Sequence, residues 1–269
     1  MRRLFLTLLI VAVAAPGSRA QAPVGPRPVE PPFVFLESST RQAKPGQHAA
    51  IEDYYLKLRA AEAKLKVAGL TDVYALVQGG AAPQYKSFRS LRNWSELDTS
   101  LDQTTADTLT RAYGEAEQQR LTAALLDATD SFSTEVLRVL PGRSTWRDNA
   151  GQAWPYIEVR RTHVRPERVA QHDEFQERIR AVRANAGTTP EVRFQVALGE
   201  GFVFVTSRYF KAWSDRDTWQ DELARAYGQP EADRLINSWR QTLLRTESYV
   251  LRHRADLSRA RAATSTARE

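Results

Sequence analysis

Hydrophobic positions along this chain change period in the same order twice. Residues 33–40 and 156–163 alternate like strands, with Val34 and Leu36, or Ile157 and Val159, on one face. Helical stripes follow: Ile51, Tyr54, Tyr55, Leu58, Leu65 and Ala68 in the first series, and Val169, Phe175, Ile179, Val182 and Ala186 in the second. Gly69 and Gly187 stand where those helices should end. Paired strands are expected at 72–78 with 84–91 and at 192–198 with 202–210, joined by glycine-containing turns that read as hairpins. Ser95 and Ser214, each with an aspartate three residues on, are placed to cap a short helix. A longer helix is then expected from about Glu115 and from Pro230, and each series closes on a strand, 133–140 or 247–253.

The two series also share residues. Arg111-Ala112-Tyr113-Gly114 returns as Arg225-Ala226-Tyr227-Gly228, and Trp94-Ser95-Glu96-Leu97-Asp98 faces Trp213-Ser214-Asp215-Arg216-Asp217, with Arg89 carried onto Arg208. Matched blocks in one order point to duplication. The division that follows is a first repeat at 33–140, a polar turn-rich linker at 141–155, a second repeat at 156–257 and a flexible tail at 258–269.

The order β-α-β-β-α-β is that of the ferredoxin-like unit, an α+β layer whose helices cover one face of the sheet. Its bare face must be buried, and the second repeat is the obvious partner. Here the chain resembles the dimeric α/β-barrel superfamily, which includes the antibiotic-biosynthesis monooxygenase and NIPSNAP-like families. The resemblance rests on element order and on the strand-end Trp-Ser-x-x-Asp. It implies two tandem ferredoxin-like repeats packed sheet to sheet as a pseudo-dimeric α/β barrel.

Composition adds a compartment and removes chemistries. Arg2 and Arg3, an apolar run from Leu4 to Ala15, and small residues at Ser18 and Ala20 form a secretory signal with cleavage expected after Ala20. The run is too short to span a bilayer, which needs about 20 residues. Arg2-Arg3-Leu4-Phe5-Leu6 also fits the twin-arginine pattern, so either export route stays open. Residues 21–32 carry five prolines and read as a stiff spacer. The mature chain is thus expected to be periplasmic or extracellular and free of the membrane. With no cysteine there is no disulfide, thiolate or Cys-bound metal. The charge of +6 falls to +3 once Arg2, Arg3 and Arg19 are removed, and the arginines are dispersed among acids, which argues against nucleic acid as a partner. No Walker, dinucleotide or nucleophile-elbow motif is present.

If Leu36 and Ile157 face the helices, alternation sends Phe35, Glu37, Glu158 and Arg160 to the barrel interior, joined by Tyr74 and Arg193 from the hairpin strands. Such a pocket suits a small, partly apolar ligand with an anionic or hydrogen-bonding end. The competing expectation is that these charges simply pair with one another. His163 and His172 occur in one repeat only and are, with Arg160, the acid-base candidates. Residues kept in both copies, Trp94 and Trp213 among them, read as scaffold, the tryptophans plugging the strand-helix corner. The residues themselves call for no cofactor. The resemblance admits haem, with His172 or His163 as proximal ligand, or a cofactor-independent monooxygenase. A non-catalytic binding barrel is the first reading, and these enzymes are the alternative.

Overall fold

The computed structural model describes residues 33–80, 83–145, 154–186, 190–197, 201–216 and 219–259. The signal segment, the proline-rich spacer, most of the linker and the end of the tail lie outside them. Eight strands and six α-helices follow in the order β1 (Phe35–Ala43), α1 (His48–Leu65), β2 (Asp72–Gln78), β3 (Gln84–Leu91), α2 (Leu101–Tyr113), α3 (Glu115–Ala128) and β4 (Thr129–Val139). The second series is β5 (Tyr156–Val164), α4 (Val169–Ala186), β6 (Glu191–Val196), β7 (Val203–Phe210), α5 (Trp219–Tyr227), α6 (Gln229–Arg240) and β8 (Leu243–His253).

All strands pair antiparallel and close into one barrel, β1-β3-β2-β8-β5-β7-β6-β4. Instead of two separate sheets laid face to face, β2 is hydrogen-bonded to β8 and β4 to β6, which joins the halves edge to edge. Closure at these seams removes the unpaired edges that two open sheets would present. A register shift falls between Gln42 and Ala43 of β1 and between His163 and Val164 of β5, the same place in each half.

In β1, β5 and β6 the side chains take the phase opposite to the expected one, while Tyr74 of β2 does lie in the lumen. Leu36, Leu76, Leu137, Ile157, Val159, Phe194, Val205 and Leu251 belong to one buried cluster drawn from seven strands, with Phe88 of β3 packed against it. Only the barrel lumen brings all eight strands together, so these residues face inward. Their alternate neighbours face the helices: Tyr85 of β3 donates from its hydroxyl to Glu52 of α1 at 2.5 Å, and Val73 packs with Ile51 and Leu125. The phase expectation fails because a closed barrel covered by helices buries both faces of each strand. Apolar alternation then marks the face farthest from water, which is the lumen rather than the helix side. The interior is consequently a packed core rather than the mixed pocket expected of it.

Local starts and stops also differ in detail. Helix α1 ends at Lys66, which takes the left-handed conformation itself (φ 54°), three residues before Gly69. Ser95 is not a cap: it sits within a short 3₁₀ turn, Trp94–Leu97, where Glu96 accepts from the Arg92 N–H at 3.2 Å. Asp215 plays that part in the second half, accepting from Ala212 at 2.9 Å. Trp94 and Trp213 pack on Phe35 (4.2 Å) and on Tyr156 (5.6 Å), yet each is 46% exposed, so they cover the corner without plugging it.

Gly114 (φ 90°, ψ 164°) and Gly228 (φ 80°, ψ 152°) make the sharp joints between α2 and α3 and between α5 and α6. This backbone region is open to glycine almost alone. A Cβ at Gly228 would meet nothing within 4 Å, so only backbone strain opposes it. Gly228→Ala should therefore cost about 1–3 kcal/mol in a denaturant titration, and a stability equal to wild type would show that the joint relaxes freely.

Candidate functional site

Three environments contain the chemistry-bearing residues. The first is the lumen toward the end where β5 finishes and β8 begins. There Arg161 of β5 ion-pairs with Glu135 of β4; these strands are not neighbours in the sheet, so the pair spans the lumen. Lys86 of β3 donates to Thr40 Oγ1 at 2.7 Å and lies 5.1 Å over the Tyr249 ring. Burial pulls the Lys86 ammonium below its ordinary value, and the Glu135 carboxylate opposes this.

The second environment is the layer between the second half's strands and helices α4, α5 and α6. Arg183 of α4 donates from Nε to Glu222 of α5 at 2.9 Å and pairs through Nη1 with Glu191 of β6. Arg193 donates from Nε to Glu191 at 2.7 Å and from Nη1 to the Gln176 carbonyl at 3.0 Å. Burial lowers Arg183 to about 10 and Arg193 to about 9, so both remain charged at neutral pH. Arg160 projects here too, its guanidinium 5.8 Å from the Trp219 ring centroid. A void of about 20 Å³ lies among Arg160, Arg183, Arg193, Thr162, Trp219 and Trp239.

His172 sits in the same layer, fully enclosed and stacked on Phe204 at 5.1 Å. Trp239 Nε1–H donates to its Nδ1 at 3.2 Å, and Nε2 lies 3.3 Å from the Gln176 amide nitrogen. Burial, reinforced by Arg193 and Arg143, holds its pKa down at about 3. Because the folded protein refuses a proton that the unfolded chain takes below about 6.5, stability should fall as pH drops from 6.5 toward 3. At pH 5 the loss is about 2 kcal/mol. His172→Gln should flatten that part of the stability profile, and an unchanged slope would assign it to other groups.

The third environment is a cleft of about 420 Å³ at the barrel mouth, formed by the end of β5, the entry to β7 and the start of β8. Val164, Pro166, Phe202 and Leu244 give it apolar walls, with His163 and Arg245 beside them. His163 Nε2 is buried and has no hydrogen-bond partner among the described residues. Phe202 and Leu244 are exposed. Arg245 pairs with Glu247 at 2.6 Å, both largely in solvent.

The residues expected to line one interior pocket are therefore dispersed. Tyr74 is in the lumen, packed on Phe88 at 5.5 Å. Phe35 lies against Trp94, and Glu37 accepts from Arg89 Nε at 2.5 Å, both on the helix side of the first half. Glu158 accepts from Arg216 Nη2 at 2.8 Å on the helix side of the second half, where Arg193 also sits. His163 and Arg160 are three apart on one strand, and the period of two sends them to opposite faces. Most of these charges have found partners, as the competing expectation held. Residues that the sequence reading did not single out, Phe202, Leu244 and Arg245 at the mouth and Arg183, Glu191 and Glu222 under the helices, make up the environments instead.

Haem does not fit around His172. Both ring nitrogens are engaged, and the adjoining void is far below the 300–1,000 Å³ of small-molecule sites. No group of three or more His, Asp or Glu suited to a metal occurs among the described residues, and no helix among them is long and apolar enough to cross a membrane.

No family model and no curated protein matches the chain. Solved structures do. An anthrone oxidase-like protein superposes with a TM-score of 0.52 at 12% identity, covering 82% of this chain and 91% of that one. A candidate monooxygenase from Lactobacillus acidophilus gives 0.50 at 7% identity, covering 86% of this chain and all of that one. Another from Fusobacterium nucleatum gives 0.52 at 9%, covering 82% and 92%. At these identities the likeness shows the fold alone, an eight-stranded antiparallel α/β barrel that closes within one chain.

Proposed function

We propose that this chain is a small-molecule-binding α/β barrel whose ligand occupies the mouth cleft. Its apolar body would lie on Val164, Pro166, Phe202 and Leu244, with an acidic or hydrogen-bonding end at His163 and Arg245. One observation carries this reading: His163 lines an apolar cleft of ligand size, and its Nε2 is buried without a hydrogen-bond partner among the described residues. Leaving such a group unpaired costs about 1–3 kcal/mol, which a ligand's polar end would recover. The probe is 8-anilinonaphthalene-1-sulfonate, an aromatic anion. It should bind at one saturable site, and His163→Leu should weaken it about tenfold, the worth of about 1.4 kcal/mol. Affinity unchanged from wild type in both His163→Leu and Leu244→Ser would overturn the reading.

The names of the fold neighbours favour a second reading in the same cleft, a cofactor-independent oxidation. His163 would take a proton from an acidic carbon of an aromatic substrate, and dioxygen would supply the oxygen. Anthrone and dioxygen give anthraquinone and water with no external reductant, so anthrone is the test substrate. Oxygen uptake lost in His163→Gln would support this chemistry; no uptake above the protein-free rate would remove it.

The reading also takes the two halves as duplicated ferredoxin-like units exported after cleavage following Ala20. Matching element order, the shared bulge position and the paired joints at Gly114 and Gly228 support the first part. The N-terminal pattern supports the second. A mature N-terminus other than Gln21 would revise it.

A further inference from the structure

The layer beneath α4, α5 and α6 is out of charge balance at one point. Arg160, Arg183 and Arg193 line a single void of about 20 Å³. Two carboxylates serve them: Glu191 is shared by Arg183 and Arg193, and Glu222 is bonded to Arg183. Glu158, the next acid along β5, is bonded to Arg216. Arg160 itself has no hydrogen bond or ion pair among the described residues; Glu158 attracts it from further off, against the repulsion of Arg193, Arg208 and Arg216, and Trp219 offers it a ring face. Three guanidiniums at the void thus meet two carboxylates, one of which, Glu222, also lies 4.0 Å from Arg208. Arg183 and Arg193 are buried and Arg160 is partly exposed, and charge drawn out of water without a full set of counter-ions is expensive.

The void has room for one small species. It exceeds the roughly 10–15 Å³ that a single water needs and excludes any organic ligand. A water would fill the space and leave the charge. Thr162 and Thr206 add side-chain hydroxyls to the wall, and Trp219, Trp239 and Phe175 close it. The first half makes a different use of the same layer. Aligned on the shared bulge, Arg160 corresponds to Ser39, whose hydroxyl is hydrogen-bonded to Thr134. Beneath α1 and α3 the space is filled by Ile51, Val73, Tyr85 and Leu125.

We propose that this void is a buried binding site for one small monovalent anion of halide size, held by Arg160 together with Arg183 and Arg193. The anion completes the charge balance of the layer and ties its occupancy to the stability of the fold. This site is separate from the mouth cleft and stands whether or not that cleft binds a ligand.

The test is the thermal midpoint of the mature protein in sodium bromide or chloride against sodium gluconate, at constant ionic strength. Saturating halide should raise the midpoint by about 5 °C relative to gluconate, whose anion is too large to enter. Arg160→Met should lose that halide dependence whatever its own midpoint. A crystal grown in bromide should show an anomalous peak between Arg160, Arg183 and Arg193, a readout that needs no variant. Equal midpoints in the two salts, a dependence retained in Arg160→Met, or bromide crystals without that peak would each overturn the proposal.

Discussion

Glu222→Gln is expected to lower stability by about 3–5 kcal/mol, measured by denaturant titration at pH 7. Arg183 holds Glu222 through Nε inside a layer where both side chains are almost wholly enclosed. Removing the carboxylate's charge leaves the guanidinium in place, already short of counter-charge because Glu191 is shared with Arg193. The cost is that of an uncompensated buried charge rather than of one lost hydrogen bond. A matched control separates the two ideas. Glu117 accepts an even shorter bond from Arg120, 2.7 Å against 2.9 Å, but on the surface of α3. Glu117→Gln should leave the midpoint where it is. If both substitutions behaved alike, the layer under α4 and α5 would be solvated and the charge argument would fail.

Phe194→Ala should cost a comparable amount, about 3–5 kcal/mol, for a different reason. Phe194 is 0% exposed and lies in the lumen cluster with Leu137, Val205 and Leu251, contributed by separate strands. Truncation removes a ring from the one place where all strands meet, and the barrel walls are hydrogen-bonded, so they cannot collapse onto the space. Phe202→Ala supplies the contrast. Phe202 is 40% exposed at the mouth cleft, so its loss should leave stability near wild type while weakening the naphthalene probe. A Phe194→Ala protein as stable as wild type would mean that the lumen is not a packed core.

Element order was legible because it rests on local periods: the alternation of 156–163 and the helical stripe from Val169 each announce themselves within a few residues. The facing of those strands was not. In β5, Ile157 and Val159 alternate with Glu158 and Arg160, and alternation alone says that the faces differ without saying which one is the lumen. The charges suit a pocket on paper, yet Glu158 is answered by Arg216, a partner 58 residues away that only the fold brings near, and Arg193 by Glu191 on its own strand. The strict polar alternation of Glu191-Val192-Arg193 and of Glu158-Val159-Arg160 was the available signal. Charges of both signs on one face of a strand can pair along that strand or with the helix that covers it, as Glu191 does with Arg193 and with Arg183 of α4. Gly114 and Gly228 were visible as matched positions, and their positive φ explains the match. His163 was singled out for occurring in one half only, but its setting was invisible, because the cleft is assembled from residues near 164, 202 and 244 that meet only when β5, β7 and β8 pair.

The central claim is that the mouth, and not the lumen or the helix layer, is where a small molecule meets this protein. Nuclear magnetic resonance of the protein with ¹⁵N-labelled histidine, titrated with 8-anilinonaphthalene-1-sulfonate, addresses it most directly. The His163 ring nitrogens should shift to saturation with the probe, while those of His172, locked between Trp239 and Gln176, stay still. Movement of His172 with His163 unchanged would place the ligand under the helices and contradict the account.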